Sequence, residues 1–410
     1  MIRIDAATRN LLLNNSVHRE IVLRFPDDDI EITSANIVSE SFELTQSICD
    51  GKDFTLGGGV VGKMQIKLIG VAGELTGKRV TAYVKQTYSA NRLVPSASLV
   101  PSSSLIIGEQ SSTVEYPLFT GKVRSMKRQR NRSVKLLTAY DCMYDFSKTT
   151  IILEALTGYA AYTSSRDVTL RGFITTMLNT KFDNIIYNDD TAHFVDTYLL
   201  LLRSEYITAA AKNGVSLLSL LQAYAEANAG FIVCDGSGNL HVRSLSKYSD
   251  ASLHTAKKDV AEVIPSYHSL TFEEYTVKPI QYIRFKYQDK KDFAYGSSKN
   301  NSWYLSDNII LRMCESISTI VMAMHAENRS NYIFGNLLTF QPFKADVFAR
   351  WWLEPGDRVQ IKTGYNDIET IDSFVLSRKI KGINGMSVTI EAKAKEYLGN
   401  MEIDEVIQNE

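Results

Sequence analysis

Apolar and polar residues alternate along several short stretches in the first third of the chain. In Glu20–Phe25, Lys63–Leu68 and Val80–Val84 the apolar residues occupy one face at period two, which is the pattern of a strand with one buried face. Many short stretches of this kind, separated by Gly and Asp turns, are typical of a barrel or a sandwich. We therefore expect a tube-like β-barrel domain over residues 1–150, which ends with the segment 138–144.

The middle of the chain shows helical periodicity instead. Apolar residues spaced i, i+3, i+4, i+7, i+8, which share one helix face, are Leu170, Phe173, Ile174, Met177 and Leu178. Ser216 can cap a second helix, which ends near Gly230 and whose apolar stripe is Leu217, Leu220, Leu221 and Tyr224. Phe231–Asp235, the turn 236–239 and Leu240–Arg243 then indicate a hairpin. Residues 151–255 are thus expected to form a helix-rich α+β domain.

Strand patterns return at Gln281–Tyr287 and continue from Asn336 to about Leu398. One helix near 316–330 interrupts them, and its apolar stripe is Ile317, Ile320, Val321 and Met324. We expect residues 256–400 to form a second β-barrel domain and residues 401–410 to be a tail. The expected fold class is mainly β with α+β insertions, in which two tube-like β-barrel domains flank a helix-plus-hairpin domain.

One strand pattern occurs twice in the same order. The first occurrence is Gly77–Ala82, Phe119–Val123 and Ser133–Leu136, and the second is Gly356–Ile361, Leu376–Ile380 and Ser387–Ile390. The first two segments lie farther apart in the first occurrence, by about the length of the Ser- and Pro-rich stretch 88–115, which we expect to be a loop insertion. Repetition in a fixed order indicates a duplicated domain. Chance similarity between two hairpins is the alternative.

Composition describes an ordinary globular protein. The 410 residues are 44% apolar and 22% charged with a net charge of −1, so no overall field attracts nucleic acid or an anionic membrane. The amino terminus has no apolar core of signal-peptide length, and the apolar run around Leu199–Leu202 is too short to span a bilayer. The four cysteines, which we expect to be reduced thiols because none forms a CxxC motif, are Cys49, Cys142, Cys234 and Cys314.

A glycine-rich segment, Gly57–Met64, matches the G-x-G-x-x-G pattern of nucleotide-binding loops. Met64 has no hydroxyl for a magnesium ion, and the following residues alternate as a strand rather than opening the helix that a phosphate loop needs. We expect these glycines to allow close packing of strand edges.

Seven cations and no carboxylate occur in one short run: Lys122, Arg124, Lys127, Arg128, Arg130, Arg132 and Lys135. The run could follow a phosphate backbone, but it falls across a predicted hairpin without interleaved aromatic residues. We favour a solvated or subunit-contacting ribbon.

Adjacent residues on a strand face opposite ways, so one ring of Trp351 and Trp352 could enter the core and the other could lie at a subunit contact. Burial of both rings is the alternative.

No arrangement of residues indicates catalysis or cofactor binding. The six histidines form no H-x-x-x-H or H-E-x-x-H pair, and no G-x-S-x-G elbow occurs. Carboxylate clusters occur at Asp27–Asp29, Asp189–Asp190 and Glu273–Glu274, but sequence cannot show whether two of them face each other across a cleft. We expect no catalytic, cofactor or metal site.

Three sets of residues resemble segments of bacteriophage baseplate hub proteins: Phe119–Val123 leading into Ala139–Tyr144, Gly230–Leu240, and Trp352–Val359 followed by Gly382–Met386. The chain is similar to the amino-terminal module of tail-associated lysins and to the hubs of contractile injection systems, in the same order over nearly its whole length.

The resemblance implies a structural hub at the virion tail tip, assembled in the host cytoplasm. Three subunits with two barrels each would form a ring of six, joining the tail tube and distal tail proteins to a spike, fibre or tape-measure protein. DNA would only pass through the channel. Only the short segment Met401–Glu410 follows the second module, so no cell-wall enzyme is expected. The alternative is a receptor- or carbohydrate-binding tail-tip protein.

Overall fold

The computed structural model describes residues 17–50, 53–89, 111–130, 133–150, 187–189, 212–228, 230–248, 255–278, 282–287, 291–296, 302–304, 339–363 and 369–397, with some single positions elsewhere. Of the first predicted helix, only Ile174 and Leu178 are described, and both are buried. The predicted helix near 316–330 and the tail 401–410 lie outside these residues.

Strands dominate the described residues. The first strands are β1 His18–Phe25, β2 Ile30–Ile32, β3 Glu43–Ser47, β4 Lys63–Ile69, β5 Arg79–Ser89, β6 Ser111–Arg128, β7 Val134–Tyr140 and β8 Tyr187–Asp189. The middle strands are β9 Phe231–Cys234, β10 Leu240–Arg243, β11 Ser246–Tyr248, β12 Thr255–Lys257, β13 Val260–Ile264, β14 Ser269–Phe272, β15 Tyr282–Tyr287, β16 Lys291–Gly296 and β17 Ser302–Tyr304. The last are β18 Phe343–Phe348, β19 Arg358–Lys362, β20 Thr370–Phe374, β21 Ser377–Lys381 and β22 Ser387–Ala392.

The described helices are few and short. They are α1 Cys142–Lys148, α2 Leu217–Ala227 and the 3₁₀ helix Ser34–Asn36. Ser216 caps α2 as predicted, because its hydroxyl accepts from Ser219 N. The four apolar residues of its predicted stripe are buried. The hairpin β9–β10 is also confirmed, and β8 extends it as a parallel neighbour of β10 that the sequence reading missed.

One sheet of eleven strands runs through the molecule, in the order β14-β18-β22-β21-β3-β4-β7-β6-β5-β1-β2. Its strands come from both predicted β domains, and β3 lies between β4 and β21 as the strand that joins them. Alternation is clear in β4, where Met64, Ile66 and Leu68 are buried and the residues between them are not. The expected mainly β fold is confirmed.

Closure into two barrels is not detected in the pairings of the described residues. The nearest approach to closure follows β2, where Ile37 forms a single β-bridge with Leu68 of β4. Beside it, Val38 N donates to Lys67 O at 2.9 Å. The sheet therefore curves back toward β4 after β2, but the contact there is one bridge rather than a ladder.

The strands β5 and β6 extend into the expected loop 88–115 from both ends. β5 continues to Ser89 and β6 begins at Ser111, and the two strands pair along this whole extension. Residues 90–110 lie outside the described part of the chain. The polar composition of these strand ends hid them in the sequence.

The internal repeat begins with two connections of equal length. The first connection, residues 70–78, joins β4 to β5, and the second connection, residues 349–357, joins β18 to β19. Each has a positive φ at its first and eighth residues, which are Gly70 (69°) and Gly77 (88°) in one and Ala349 (53°) and Gly356 (92°) in the other. A positive φ is uncommon outside glycine, and Ala349 adopts it at the position equivalent to Gly70, which argues for duplication rather than chance.

The strands that follow repeat the same pairing. In the first strand set, β4 to β7, strand β4 pairs with β7, β7 with β6, and β6 with β5. In the second strand set, β18 to β22, strand β18 pairs with β22, β22 with β21, and β20 with β19. The long bent strand β6 corresponds to β20 and β21 together, because its bulge at Arg124 falls where Leu376 separates those two strands.

The two registers agree residue by residue. Gly77 N donates to Val123 O at 2.8 Å, and Gly356 N donates to Val375 O at 2.7 Å. Corresponding positions are Gln65 and Lys344, Ile69 and Phe348, Arg79 and Arg358, Lys122 and Phe374, Met126 and Arg378, and Val134 and Ser387.

This register corrects the repeat as read from the sequence. The prediction matched Gly77 with Gly356 correctly. It matched Val123 with Ile380, whereas the partner of Val123 is Val375, and it was one residue off at Val134. Short strands of similar composition align equally well in several registers, and only the hydrogen bonds distinguish them.

Candidate assembly interface

The strand β3 forms the junction between the two strand sets. Leu44 lies opposite Met64 of β4 on one side and opposite Ile380 of β21 on the other. All three side chains are fully buried, so the core continues across the junction. On the opposite face Lys379 Nζ and Glu43 Oε1 are 2.8 Å apart and remain partly exposed.

Beneath this junction lies a buried cation. Arg378 of β21 is 1% exposed. Its Nε donates to Gln46 Oε1 at 2.8 Å, and its Nη1 donates to the carbonyl oxygens of Trp351 at 2.7 Å and Leu353 at 2.6 Å. Burial lowers the pKa of Arg378, while the charges of Glu354 and Asp357 oppose that effect. The guanidinium thus ties together β3, β21 and the second connection.

The second connection is buried along its entire length. Trp351 Nε1 donates to Gln86 Oε1 of β5 at 3.2 Å, and the ring of Trp351 is 5.3 Å from that of Tyr116 in β6. Trp352 Nε1 donates to Glu262 Oε2 of β13 at 2.5 Å. The second connection is therefore covered by the first strand set and by β13.

Trp351 and Trp352 do not lie on a strand, and that part of the prediction is wrong. They follow β18 in a turn, and their rings meet edge to face with centroids 5.5 Å apart. Both are 0% exposed, so the structure matches the alternative in which both rings are buried. Pro355 and Gly356, which mark a turn, are the sequence signal that a strand does not continue there.

The first connection has the same backbone course but is open to solvent. Gly70, Gly73 and Gly77 are exposed, and Leu75 is the buried residue among its nine. Lys135 Nζ holds it from one side by donating to Val71 O at 2.9 Å and Gly73 O at 3.0 Å. Equivalent segments of the two strand sets thus differ in whether other elements cover them.

The predicted basic ribbon lies on the hairpin β6–β7, and the structure divides it into two groups. Arg124 is engaged within the chain, because its Nη2 donates to Asp145 Oδ1 and its guanidinium stacks 4.7 Å from the ring of Tyr144. Lys135 is held by the first connection. The exposed cations are Lys122, Lys127, Arg128 and Arg130. Arg132 lies outside the described residues.

A pair of cysteines that sequence reasoning did not connect lies where β9 meets α1. Cys142 Sγ and Cys234 Sγ are 2.9 Å apart as free thiols, and this hydrogen bond and burial raise the pKa of Cys234. Next to them, burial raises the pKa of Asp141 to about 7, although its carboxylate accepts from Gly62 N and Met143 N. A spacing of 92 residues has no local signal that could have revealed the thiol pair.

The glycine-rich segment packs against α2 and β9. Gly57 N donates to Gly230 O at 2.8 Å, and Ile232 N donates to Gly58 O at 2.8 Å. A methyl group on Gly59 would overlap the side chain of Ile232. These contacts confirm the predicted close packing, and β4 begins directly after the segment, at Lys63.

Within the described ranges no group of three His, Cys, Asp or Glu residues is placed to hold a metal ion. No described helix has the length and apolar character needed to cross a lipid bilayer.

The fold is similar to that of a solved tail protein. The tail protein from Neisseria meningitidis MC58 superposes with a TM-score of 0.50 at 8% identity, covering 93% of this chain and 98% of that one. The prophage MuSo2 43 kDa tail protein from Shewanella oneidensis gives 0.47 at 12% identity, covering 92% and 98%. A Francisella PdpA-VgrG complex gives 0.46 at 10% identity, covering 95% of this chain and 60% of that one.

No protein-family model matches the sequence, and no curated protein matches it. The expected resemblance to phage tail proteins is confirmed by structure at the level of the fold.

Proposed function

We propose that this chain is a structural protein of a phage tail, or of a related contractile particle, and that it forms a homotrimeric hub at the tail tip. The register-matched repeat carries the proposal, because three chains with two similar strand sets each present six similar units. Such a ring fits a sixfold tail tube on one side and a threefold spike, fibre or tape-measure protein on the other.

The proposed ring encloses a channel whose wall is the polar face of the large sheet. Lys63, Gln65 and Lys67 point away from the core in β4, and Lys344 and Asp346 hold the corresponding face of β18. Amide side chains and charged side chains of both signs keep such a wall hydrated. DNA passes along this wall without a specific site, and distal tail proteins contact the ring from outside.

The proposed hub acts mechanically and has no catalytic role. Purified protein incubated with peptidoglycan is expected to release no more soluble fragments than buffer does. Robust cleavage would show that the chain is an enzyme.

Electron microscopy of intact particles that carry a label on this chain tests the hub directly. Label at the tip in threefold copy is the expected result. Label along the shaft or on side fibres contradicts it, and binding to defined sugars on an array would favour the alternative of a receptor- or carbohydrate-binding tip protein.

A further inference from the structure

The internal β3–β21 junction has an equivalent position in the repeat, and no described strand pairs there. At the junction, β3 pairs with β4 on one edge and covers β21 with its other edge. In the second strand set the place of β3 is taken by β14, which precedes β18 and pairs with it. Leu44 lies opposite Met64, and Phe272 lies opposite Phe343. Because Met64 and Phe343 are equivalent, β14 corresponds to β3 in register.

The outer edge of β14 is open among the described residues. Glu273 N donates to Pro342 O at 3.0 Å, toward β18, so the main-chain groups of Phe272 face the other way. Phe272 is 47% exposed, whereas its equivalent Leu44 is 0% exposed. An exposed aromatic residue on an unpaired strand edge is a site where another strand can add.

A second edge, on β6, has no partner strand among the described residues. β5 pairs with β6 as far as Lys122, and beyond the bulge the segment Ser125–Gln129 is paired on one side, with β7. Gln129 N donates to Val134 O, so the main chain of Arg128 faces away from β7. The equivalent edge of β21 is the one that β3 covers.

We propose that these two edges pair between copies of this chain, so that β14 of one copy covers the end of β6 of the next as an antiparallel neighbour. The inference rests on the proposed hub, and it names the contact that would assemble it. Transferring the register of the β3–β21 junction places Met126 opposite Glu274, Lys127 opposite Glu273 and Arg128 opposite Phe272 of the second copy.

Charge supports this pairing over other occupants. The edge of β6 has exposed cations at Lys127, Arg128 and Arg130, and the edge of β14 continues into exposed Glu273 and Glu274. Opposite charges on facing strands stabilise a sheet, and like charges destabilise it. Each edge is therefore complementary to the other edge and repels a second copy of itself.

The exposed first connection fits the same contact. Inside the chain, the pairing of β3 with β21 places the first strand set over the second connection, which is buried. Under the transferred register, the second strand set of one copy meets the first connection of the next. The contact is head to tail, so each added copy offers a new open edge until a ring closes.

Engineered disulfides in the full chain test the register. In Lys127→Cys/Glu273→Cys the two Cα atoms are expected about 4.5–5.5 Å apart across a non-hydrogen-bonded pair, within the range that a disulfide spans. Mild oxidation should convert this variant into disulfide-linked oligomers, and a reducing agent should return them to single chains. The matched control Lys127→Cys/Ser269→Cys uses the same face of β14, about 13 Å farther along the strand, and should stay uncrosslinked, as should each single variant.

Charge reversal tests the contact without cysteine chemistry. Lys127→Glu and Glu273→Lys should each weaken self-association at least about tenfold, and the double variant should regain most of the loss. Lys67→Glu changes an exposed lysine on β4 and should leave self-association unchanged. Sedimentation of the four variants and the natural protein over a concentration series gives the comparison.

The outcomes separate this inference from the proposed hub. A chain that stays monomeric at every concentration, or an oligomer that crosslinks in neither variant or equally in both, overturns the strand pairing. Label absent from the tip of particles overturns the hub while leaving a crosslinked oligomer in place. Crosslinking at 127–273 alone, with rescue by the double charge reversal, supports the pairing.

Discussion

At the scale of single residues, Arg378 shows how the junction is specified. A buried guanidinium is costly unless its donors are satisfied, and here Gln46 and two carbonyl groups of the second connection accept from it. Its equivalent in the first strand set is Met126. The two sets therefore share a backbone pattern but differ in what holds their edges.

Replacing Arg378 by Met is expected to destabilise the folded chain by about 3 kcal/mol, because three buried acceptors would lose their donor. Urea unfolding measures the loss. The control is Lys379→Met on the same strand, whose partly exposed ion pair with Glu43 should be worth less than about 1 kcal/mol. Equal losses in the two variants would show that the guanidinium contacts contribute little.

The buried Asp141 predicts a dependence of stability on pH. Burial raises its pKa from 3.8 to about 7 on folding, so the folded chain retains a proton that the unfolded chain releases. The stability gained from this proton is complete below about pH 4 and is lost as pH rises through 7. Relative to Asp141→Asn, the free energy of unfolding of the natural protein should fall across that window. A constant difference from pH 4 to pH 7.5 would contradict the assignment.

At the scale of elements, the two connections show one backbone design in two environments. Gly77 and Gly356 have nearly the same positive φ, 88° and 92°. No described atom lies within 4 Å of a methyl group added to Gly77, whereas one added to Gly356 would overlap the ring of Phe231. The matched pair separates backbone strain from packing.

Gly77→Ala is expected to cost about 1 kcal/mol through the left-handed backbone alone. Gly356→Ala should cost at least about 2 kcal/mol more, since Phe231 must move within a packed core. Thermal unfolding of the two variants side by side gives the comparison. If the two losses were equal, the contact with Phe231 would not be a tight one.

Sequence periodicity was informative where one strand has one buried face. It located β1, β4, β5 and α2 within a few residues, and the glycine at the eighth position of each connection revealed the repeat. It could not show that β6 corresponds to two shorter strands, because a bulge has no fixed composition. The position of β3 between the two strand sets was also missed, since a strand that joins two sets has the same alternation as any other.

At the scale of the whole molecule, equivalent strand edges of the large sheet differ in whether another strand pairs with them. Among the described strands, β3 pairs with the edge of β21, whereas the equivalent edge of β6 has no partner. Likewise β3 has two neighbouring strands and the equivalent β14 has one. Because the chain pairs β3 with β21 internally but leaves the equivalent edges of β6 and β14 unpaired within its described part, it has one such unpaired edge in each strand set. Pairing between identical chains in a closed ring would give every such edge a partner.

Hydrogen exchange can follow both kinds of junction in one sample. The amides of Leu44 and Ile380 face each other inside the chain, so they should exchange slowly whether the protein is monomeric or assembled. The amides of Phe272 and Arg128 face the open edges and should exchange quickly in the monomer. Assembly should slow them by at least about a hundredfold if the edges pair. Slow exchange at only one of the two would show that a different element covers that edge, and fast exchange at both in the assembled particle would place the contact between copies elsewhere.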